Sequence, residues 1–533
     1  MSVATAPPRA ARPLAGTRVH ALAPWWPLVA LTLLAAGLRF GTLDLQSFWY
    51  DEAFTPVRVL HPSLWATLRS VVHTENTPPL WYMLAWADAR VFGTGEIALR
   101  WPSALVGTLT VPVAWASGRE LTGRRATAVA TAALVAVNPL IVWYSQEARA
   151  YGLFVFTSAL AMLCFLRARA HPSPRRLAAF AATGALALLS HYFAVFLLAP
   201  MVLMLLLDLR PGRGGRPPPG HRATIVAVAA LAAVGLALVP LIAAQAGHGT
   251  QWIGRWALSS RLATIPQYYL TGYMGSALGH GIELLVALPI VAGVVFGLWR
   301  VLDAREERAA AVVLAIAAGG ILIPLALALL GADYLAPRNL VAAMVPVSAL
   351  IAVVVVARRA GRTGVAFATL IALAFGAISL DVDLSPRLQR GDWRGLARSL
   401  AAPAPTAAYA GAPPPGGGAR AITTVELGSL PLQYYLPGLR EVPRGDVVTV
   451  SEIDETGYSP LRPSAGRSPA PGFRLVARID VHGLVAYRFV SPVARTVSQA
   501  VLARAVITLA HAEVLVIGNR TFVARQKPLA LRK

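Results

Sequence analysis

The sequence predicts an all-α polytopic membrane protein of about 11 transmembrane helices, followed by a soluble extracytoplasmic domain that is mixed α/β or β-rich. Three observations carry this. Hydrophobic residues make up 56% of the 533 and charged residues only 14%, against roughly 25% charged in a soluble domain. Apolar runs close to the ~20 residues that cross a bilayer recur along the first 380 positions. Arginines gather in alternate short loops between those runs, as the rule for cytoplasmic loops requires.

The elements follow in order. Residues 1–24 carry Arg9, Arg12 and Arg18 and read as a cytoplasmic tail. The first apolar run, 25–43, resembles a signal peptide at its start. It is long enough to span and lacks a clean small-residue cleavage site, so it reads as a retained helix. Ten more runs cover 98–117, 126–144, 150–166, 177–191, 192–207, 223–244, 282–299, 309–331, 340–357 and 363–380. The stretch 177–207 is counted as two crossings turning near His191, because arginines flank both of its ends and both ends therefore belong to the cytoplasm. Segment 79–93 carries Asp88 and Arg90 and is short, so it is expected to lie at the interface as an amphipathic helix. A crossing there would reverse every later arginine-rich loop.

With the N-terminus inside, loops 119–125, 167–176, 210–222, 300–308 and 358–362 face the cytoplasm. Loops 44–97, 145–149, 245–281 and 332–339 then face outward, with everything after Leu380. The transmembrane region is thus 25–380 and the outer domain 381–533, with a Pro/Gly-rich linker near 403–420. Alternating runs (AITTVEL, FRLVARIDVHGLVAYRFV) predict strands in that domain. The tail from Thr496 is weakly patterned and reads as partly disordered.

The net charge of +23 comes from arginine, with lysine only at Lys527 and Lys533. These arginines orient helices rather than form a nucleic-acid footprint, which excludes nucleic acid as a partner and leaves membrane lipids. The single cysteine, Cys164, forms no intrachain disulfide. There is no internal repeat, P-loop or Cys/His cluster with metal-ligand spacing.

The outward loops hold the chemistry. SFWYDEAFT (47–55) sets Asp51 and Glu52 side by side just beyond the first span. One of the two could accept a proton from an attacking hydroxyl; the plainer alternative is a solvated loop with an aromatic belt. The same side holds HTENTPPLWYML (73–84), YSQEARAYGLF (144–154), SHYF (190–193) and DYLAPRNL (333–340). Each has a plain explanation too: a proline-started helix, a Glu147–Arg149 ion pair, a turn capped by His191, an arginine that snorkels. Trp252, Trp256, Tyr268, Tyr269 and Tyr273 in loop 245–281 could stack on a sugar, but read more simply as an interfacial belt.

These motifs, in their order and on their common side, resemble glycosyltransferase family 39 of the GT-C superfamily, which includes protein mannosyltransferases and the aminoarabinose transferases of lipid A. The resemblance rests on Asp51-Glu52, Pro78-Pro79-Leu80, SQEARAY at 145–151, His191-Tyr192 and Pro337-Arg338-Asn339-Leu340, and covers about the first 380 residues. It departs at Asn339, where a tyrosine usually follows the arginine, and around Glu75-Asn76-Thr77, where relatives vary.

The resemblance implies a bacterial cell-envelope enzyme that transfers a monosaccharide, of mannose or arabinose type, from a polyprenyl-phosphate donor to a lipid, glycan or protein acceptor with inversion. Asp51 would be the general base and Glu52 would orient the base or the sugar. Arg338 and Arg149 would meet the departing phosphate, where guanidinium donors suit phosphate oxygens. Glu75, Asn76, Tyr144, Glu147, Tyr151, His191, Tyr192 and Tyr334 complete the expected substrate-binding set. Asp51, Glu52 and Glu75 could also ligate a divalent metal, magnesium or manganese, although carboxylates alone do not identify one. Three rivals stand beside this reading: a transporter or flippase of lipid-linked sugars, a non-catalytic assembly subunit that would tolerate loss of Asp51, and an oligosaccharide or phospho-group transferase of the same architecture.

Overall fold

The structure, a computed structural model, describes residues 25–210, 220–248, 250, 253–272, 280–402, 404, 419–505, 507–508 and 512–517. The expected tail 1–24 and most of the expected linker 403–420 lie outside the described residues, as do Trp252 and Tyr273.

Each of the eleven apolar runs is helical. The helices are α1 (Trp26–Phe40), α5 (Glu96–Thr122), α6 (Arg125–Val137) with α7 (Pro139–Ser145), α8 (Tyr151–Ala170), α9 (Pro174–Ser190) and α10 (Ala194–Leu207). They continue with α11 (His221–Gln245), α13 (His280–Arg300), α14 (Ala304–Leu329), α15 (Met344–Val355, entered by a 3-10 turn Pro337–Ala343) and α16 (Gly361–Leu384). By length and hydropathy alone seven segments among the described residues can cross a membrane, or eight when the bent pair α6–α7 counts as one span, while α1 and α10 are shorter. The last helix runs to Leu384, four residues past the expected boundary.

Local chemistry explains the breaks. The chain bends by 56° between α6 and α7, where Pro139 lacks an N–H and would clash with the preceding turn. Asn138 caps the new helix by accepting from the Ile141 amide at 3.0 Å. The expected turn at His191 is present between α9 and α10, and the His191 Nδ1 accepts from the Phe193 amide at 3.2 Å. At one end of the bundle the expected cytoplasmic loops come together: Arg124 bridges to Glu306 at 2.8 Å, Glu306 accepts from the Arg358 amide, Arg167 pairs with Glu120, and Arg169 with Asp208.

The opposite end carries short helices α2 (Tyr50–Phe54, running into a π turn Thr55–Val59), α3 (Leu64–Thr74), α4 (Leu80–Phe92) and α12 (Leu258–Thr271). Segment 79–93 is thus a 13-residue helix. The C-terminal domain sits on this end. It contains α17 (Trp393–Ala401), β1 (Ala419–Val425), α18 (Ser429–Tyr435), β2 (Arg440–Glu441), β3 (Val447–Gly457), β4 (Arg474–Val481), β5 (Leu484–Ser498), α19 (Gln499–Arg504) and β6 (Ala512–Ile517). The strand order is β2-β6-β1-β3-β5-β4, with β1 and β3 parallel.

The single run FRLVARIDVHGLVAYRFV is a hairpin of β4 and β5, turning at Gly483 with φ +71°, where a Cβ would meet the Gly391 backbone at 2.9 Å. One sequence expectation changes here. The tail from Thr496 is ordered at least in part: β5 continues to Ser498, and β6 pairs with both β1 and β2 near one edge of the sheet. Its AEVLVI pattern is short and isolated in sequence, and its partners are strands that begin at Ala419 and Arg440, far upstream.

Candidate active site

The site lies where α2, the α7–α8 junction, the turn at Pro337 and the segment after α16 meet. Asp51, on the first turn of α2, accepts from Arg338 Nη1 at 2.6 Å. The pair remains partly open, with side-chain exposures of 19% and 22%. Arg338 reaches Asp51 because the 3-10 turn is held from below. Tyr269 on α12 donates its hydroxyl to the Leu340 carbonyl at 2.8 Å, and Arg261 makes paired bonds to Asp333 at 2.7 and 2.6 Å. Tyr269 is therefore buried support for this turn rather than part of an interfacial belt; Trp256 is exposed.

Glu52 faces the other way. It is fully buried and receives Arg100 through Nε at 2.7 Å and Nη2 at 2.6 Å. The Ala148 amide donates to it at 3.0 Å and Arg390 at 3.3 Å. Burial opposes its charge, but the attraction and hydrogen bonds of Arg100, with Arg390 and the Ala148 amide, outweigh burial and hold the carboxyl below its ordinary range. Arg100 itself also donates to the carbonyls of Leu43, Gln46 and Ser47. This web fixes the loop that carries Asp51.

Glu147 does not pair with Arg149, as one plain reading had it. Glu147 accepts from Trp49 Nε1 at 3.0 Å and from Arg390 at 2.9 Å, and Arg149 makes a two-pronged pair with Glu75 at 3.2 and 3.1 Å. Burial pushes Glu147 up to about 7 despite the opposing Arg390, with Glu52 and Asp51 adding to the rise and Arg338 offsetting it. Arg390 is sandwiched over the rings of Trp49 and Trp143 at 4.5 and 4.4 Å, a cation–π arrangement that steadies it.

The remaining candidates form the flanks. Tyr144 and Tyr151 pack ring to ring at 4.7 Å, Tyr151 lies 5.9 Å from the His191 ring, and His191 stacks on Phe154 at 4.6 Å. Tyr192 donates to Gln245 at 2.7 Å, and Gln245 in turn donates to the carbonyls of Val71 and Thr77. Asn76 donates to the His248 carbonyl at 3.5 Å. Tyr334 is half exposed, and its carbonyl accepts from Asn339.

Among the described residues no group of three His, Cys, Asp or Glu side chains is arranged to hold a metal. Asp51, Glu52 and Glu75 are each engaged by an arginine, so their geometry does not fit a divalent cation.

Sequence reasoning missed Arg100 and Arg390. Arg100 had a signal, since it stands inside the apolar run 98–117, where an arginine demands a partner. Arg390 had none that spacing could reveal, because its partners Glu52 and Glu147 lie 338 and 243 residues away.

The C-terminal domain is bound to this assembly. Tyr435 accepts from the Phe48 amide at 2.7 Å and bonds Glu96, Tyr434 donates to the Thr94 carbonyl at 2.8 Å, and Arg394 pairs with Glu96 at 2.7 Å.

Residues 76–234 match the family described as dolichyl-phosphate-mannose-protein mannosyltransferase. The fold is similar to that of ArnT from Cupriavidus metallidurans in the apo state, at 14% identity and TM-score 0.53 over 87% of this chain and 98% of that one. The same protein bound to undecaprenyl phosphate matches at 13% identity and TM-score 0.51, over 88% and 98%. The Saccharomyces cerevisiae Pmt1-Pmt2 protein O-mannosyltransferase bound to its sugar donor matches at 19% identity and TM-score 0.33, over 42% of this chain and only 33% of that one. No curated protein matches the chain in sequence. The family match is confined to 76–234 and the fold is shared with ArnT over most of the length, and both agree with the GT-C resemblance read from the sequence.

Proposed function

We propose that the protein transfers one sugar, of mannose or arabinose type, from a polyprenyl-phosphate donor to a lipid, glycan or protein of the bacterial cell envelope, at the outer face of the membrane. The N-terminus is then cytoplasmic and the C-terminal domain extracytoplasmic, with the eleven helical runs as crossings. The observation that carries the reading is the partly open Asp51–Arg338 pair, held by four chain segments at one end of the bundle.

The chemistry follows from that pair. Asp51 takes the proton of the acceptor hydroxyl as its oxygen attacks the anomeric carbon. The bond from that carbon to the phosphate oxygen breaks on the opposite face, which inverts the configuration. The departing phosphate takes up the bonding electrons, and a guanidinium bound to it stabilises the transition state by several kcal/mol, about 3 for one well-placed donor. Without donor, Arg338 rests on Asp51. A donor phosphate competes for that guanidinium and leaves the carboxylate unpaired, so the base is freed only when the sugar is in place. Arg149, buried beside Asp51 and held by Glu75, adds positive charge on the same side.

The test is transfer by the purified protein in liposomes supplied with polyprenyl-phosphate hexose or pentose and an envelope extract. Release of polyprenyl phosphate matched by sugar in the extract is expected. Transport of the intact donor without cleavage would overturn the reading.

A further inference from the structure

Arg390 stands outside every motif that pointed to the site, yet it joins two of the site's carboxylates. It is delivered by the segment leaving α16, its guanidinium donates to Glu147 Oε1 at 2.9 Å and Glu52 Oε2 at 3.3 Å, and two tryptophan rings sandwich it. Trp49 shares Glu147 Oε1. The second oxygen of Glu147, Oε2, is buried without a hydrogen-bond partner. A buried acceptor left without a donor forfeits the hydrogen bonds it would make to water, and such an atom in a native site calls for an explanation. The charged groups around it are Arg390 from the post-span segment, Asp51 and Glu52 from α2, and Arg338 from the 3-10 turn.

We propose that Arg390 is a positioning residue: it clamps one oxygen of Glu147 and leaves the other, Oε2, as a buried acceptor for a hydroxyl of the transferred sugar. The identity of the ligand rests on the transfer reaction proposed above; the clamp does not. Glu52 keeps its bonds from both prongs of Arg100 and from the Ala148 amide when Arg390 is lost, so the larger consequence falls on Glu147, which keeps only Trp49. Without the guanidinium, burial is unopposed by its main counter-charge, and the carboxyl takes up a proton at higher pH.

The test uses the full chain carrying Arg390→Gln, Arg390→Lys, Glu147→Gln, and Glu147→Gln with Arg390→Gln. Infrared titration follows the protonated-carboxyl band that Glu147→Gln removes. In Arg390→Gln the midpoint of that band is expected to rise by at least about one pH unit. An unchanged midpoint would overturn the clamp, and this readout needs no donor, so it stands apart from the proposed reaction. With donor, Glu147→Gln and Arg390→Gln should each raise KM about tenfold, and the double variant should do no worse than either alone. Losses that multiply would mean that Arg390 acts elsewhere. Arg390→Lys keeps the charge without the fork, so a normal titration with a raised KM is expected; a wild-type KM would also overturn the proposal. That variant decides the matter if Arg390→Gln fails to accumulate.

Discussion

Asp51 and Glu52 are neighbours in the chain with opposite surroundings, and the difference separates architecture from chemistry in this site. Glu52 is enclosed, gripped by both prongs of Arg100 and by a backbone amide, and has no freedom to meet a substrate. Asp51 shares one bond with one arginine in a partly open setting. A helical start at Tyr50 produces this division, because adjacent residues on a helix point about 100° apart. One carboxylate turns into the protein and the other toward the space between the segments.

The largest expected effect breaks the enclosed pair. Removing one partner of a buried ion pair strands the other, at a cost of about 3–5 kcal/mol. Arg100→Ala and Glu52→Ala should therefore lower the membrane level and melting temperature of the protein, read by fluorescence-detected size exclusion and thermal melts. A well-folded, inactive Glu52→Ala would move Glu52 to the reaction and dissolve the contrast. Asp51→Asn should give the reverse result: normal protein level and melt, with transfer reduced about 10²–10⁴-fold, the usual contribution of a general base. Full activity in that variant would remove Asp51 as the base.

A smaller effect is expected at Arg338. Arg338→Ala should raise KM for the lipid-phosphate donor more than Arg338→Lys, since lysine keeps a point charge but loses the paired donors. Equal and unimpaired kinetics in both would take Arg338 out of donor binding.

The contrast between the two carboxylates was partly visible beforehand. The Asp51-Glu52 pair, the motifs at 73–84, 144–154, 190–193 and 333–340, and their common side could be read because each is local and because loop charge orders the helices. The helical break at His191 was legible for the same reason. What holds the motifs was not. The Glu52–Arg100 and Glu147–Arg390 bonds, the Tyr269 prop and the placement of β6 are contacts between distant segments, and no periodicity encodes them. Glu147 and Arg149, two residues apart, invited pairing; the turn between α7 and α8 instead sends them to Arg390 and Glu75.

The smallest effect extends the comparison to a carboxylate buried without any arginine. Glu455 on β3 lies inside the C-terminal domain with Oε1 unpartnered, and burial alone pushes its carboxyl up to about 8. Glu52, buried with arginine, is shifted down, and Glu147, with one arginine on one oxygen, sits between them at about 7. The sign at Glu455 follows from linkage. Its folded value exceeds the ~4.3 of an unfolded chain, so the folded domain binds the extra proton and loses stability as pH climbs from about 4.3 toward 8. Glu455→Gln keeps the shape and removes the titration. Thermal melts should find the variant no different from wild type near pH 4 and more stable near pH 8. Equal melting at both would mean that the buried Glu455 carboxyl keeps its charge, and that burial without an arginine does not suffice to neutralise an acid in this protein.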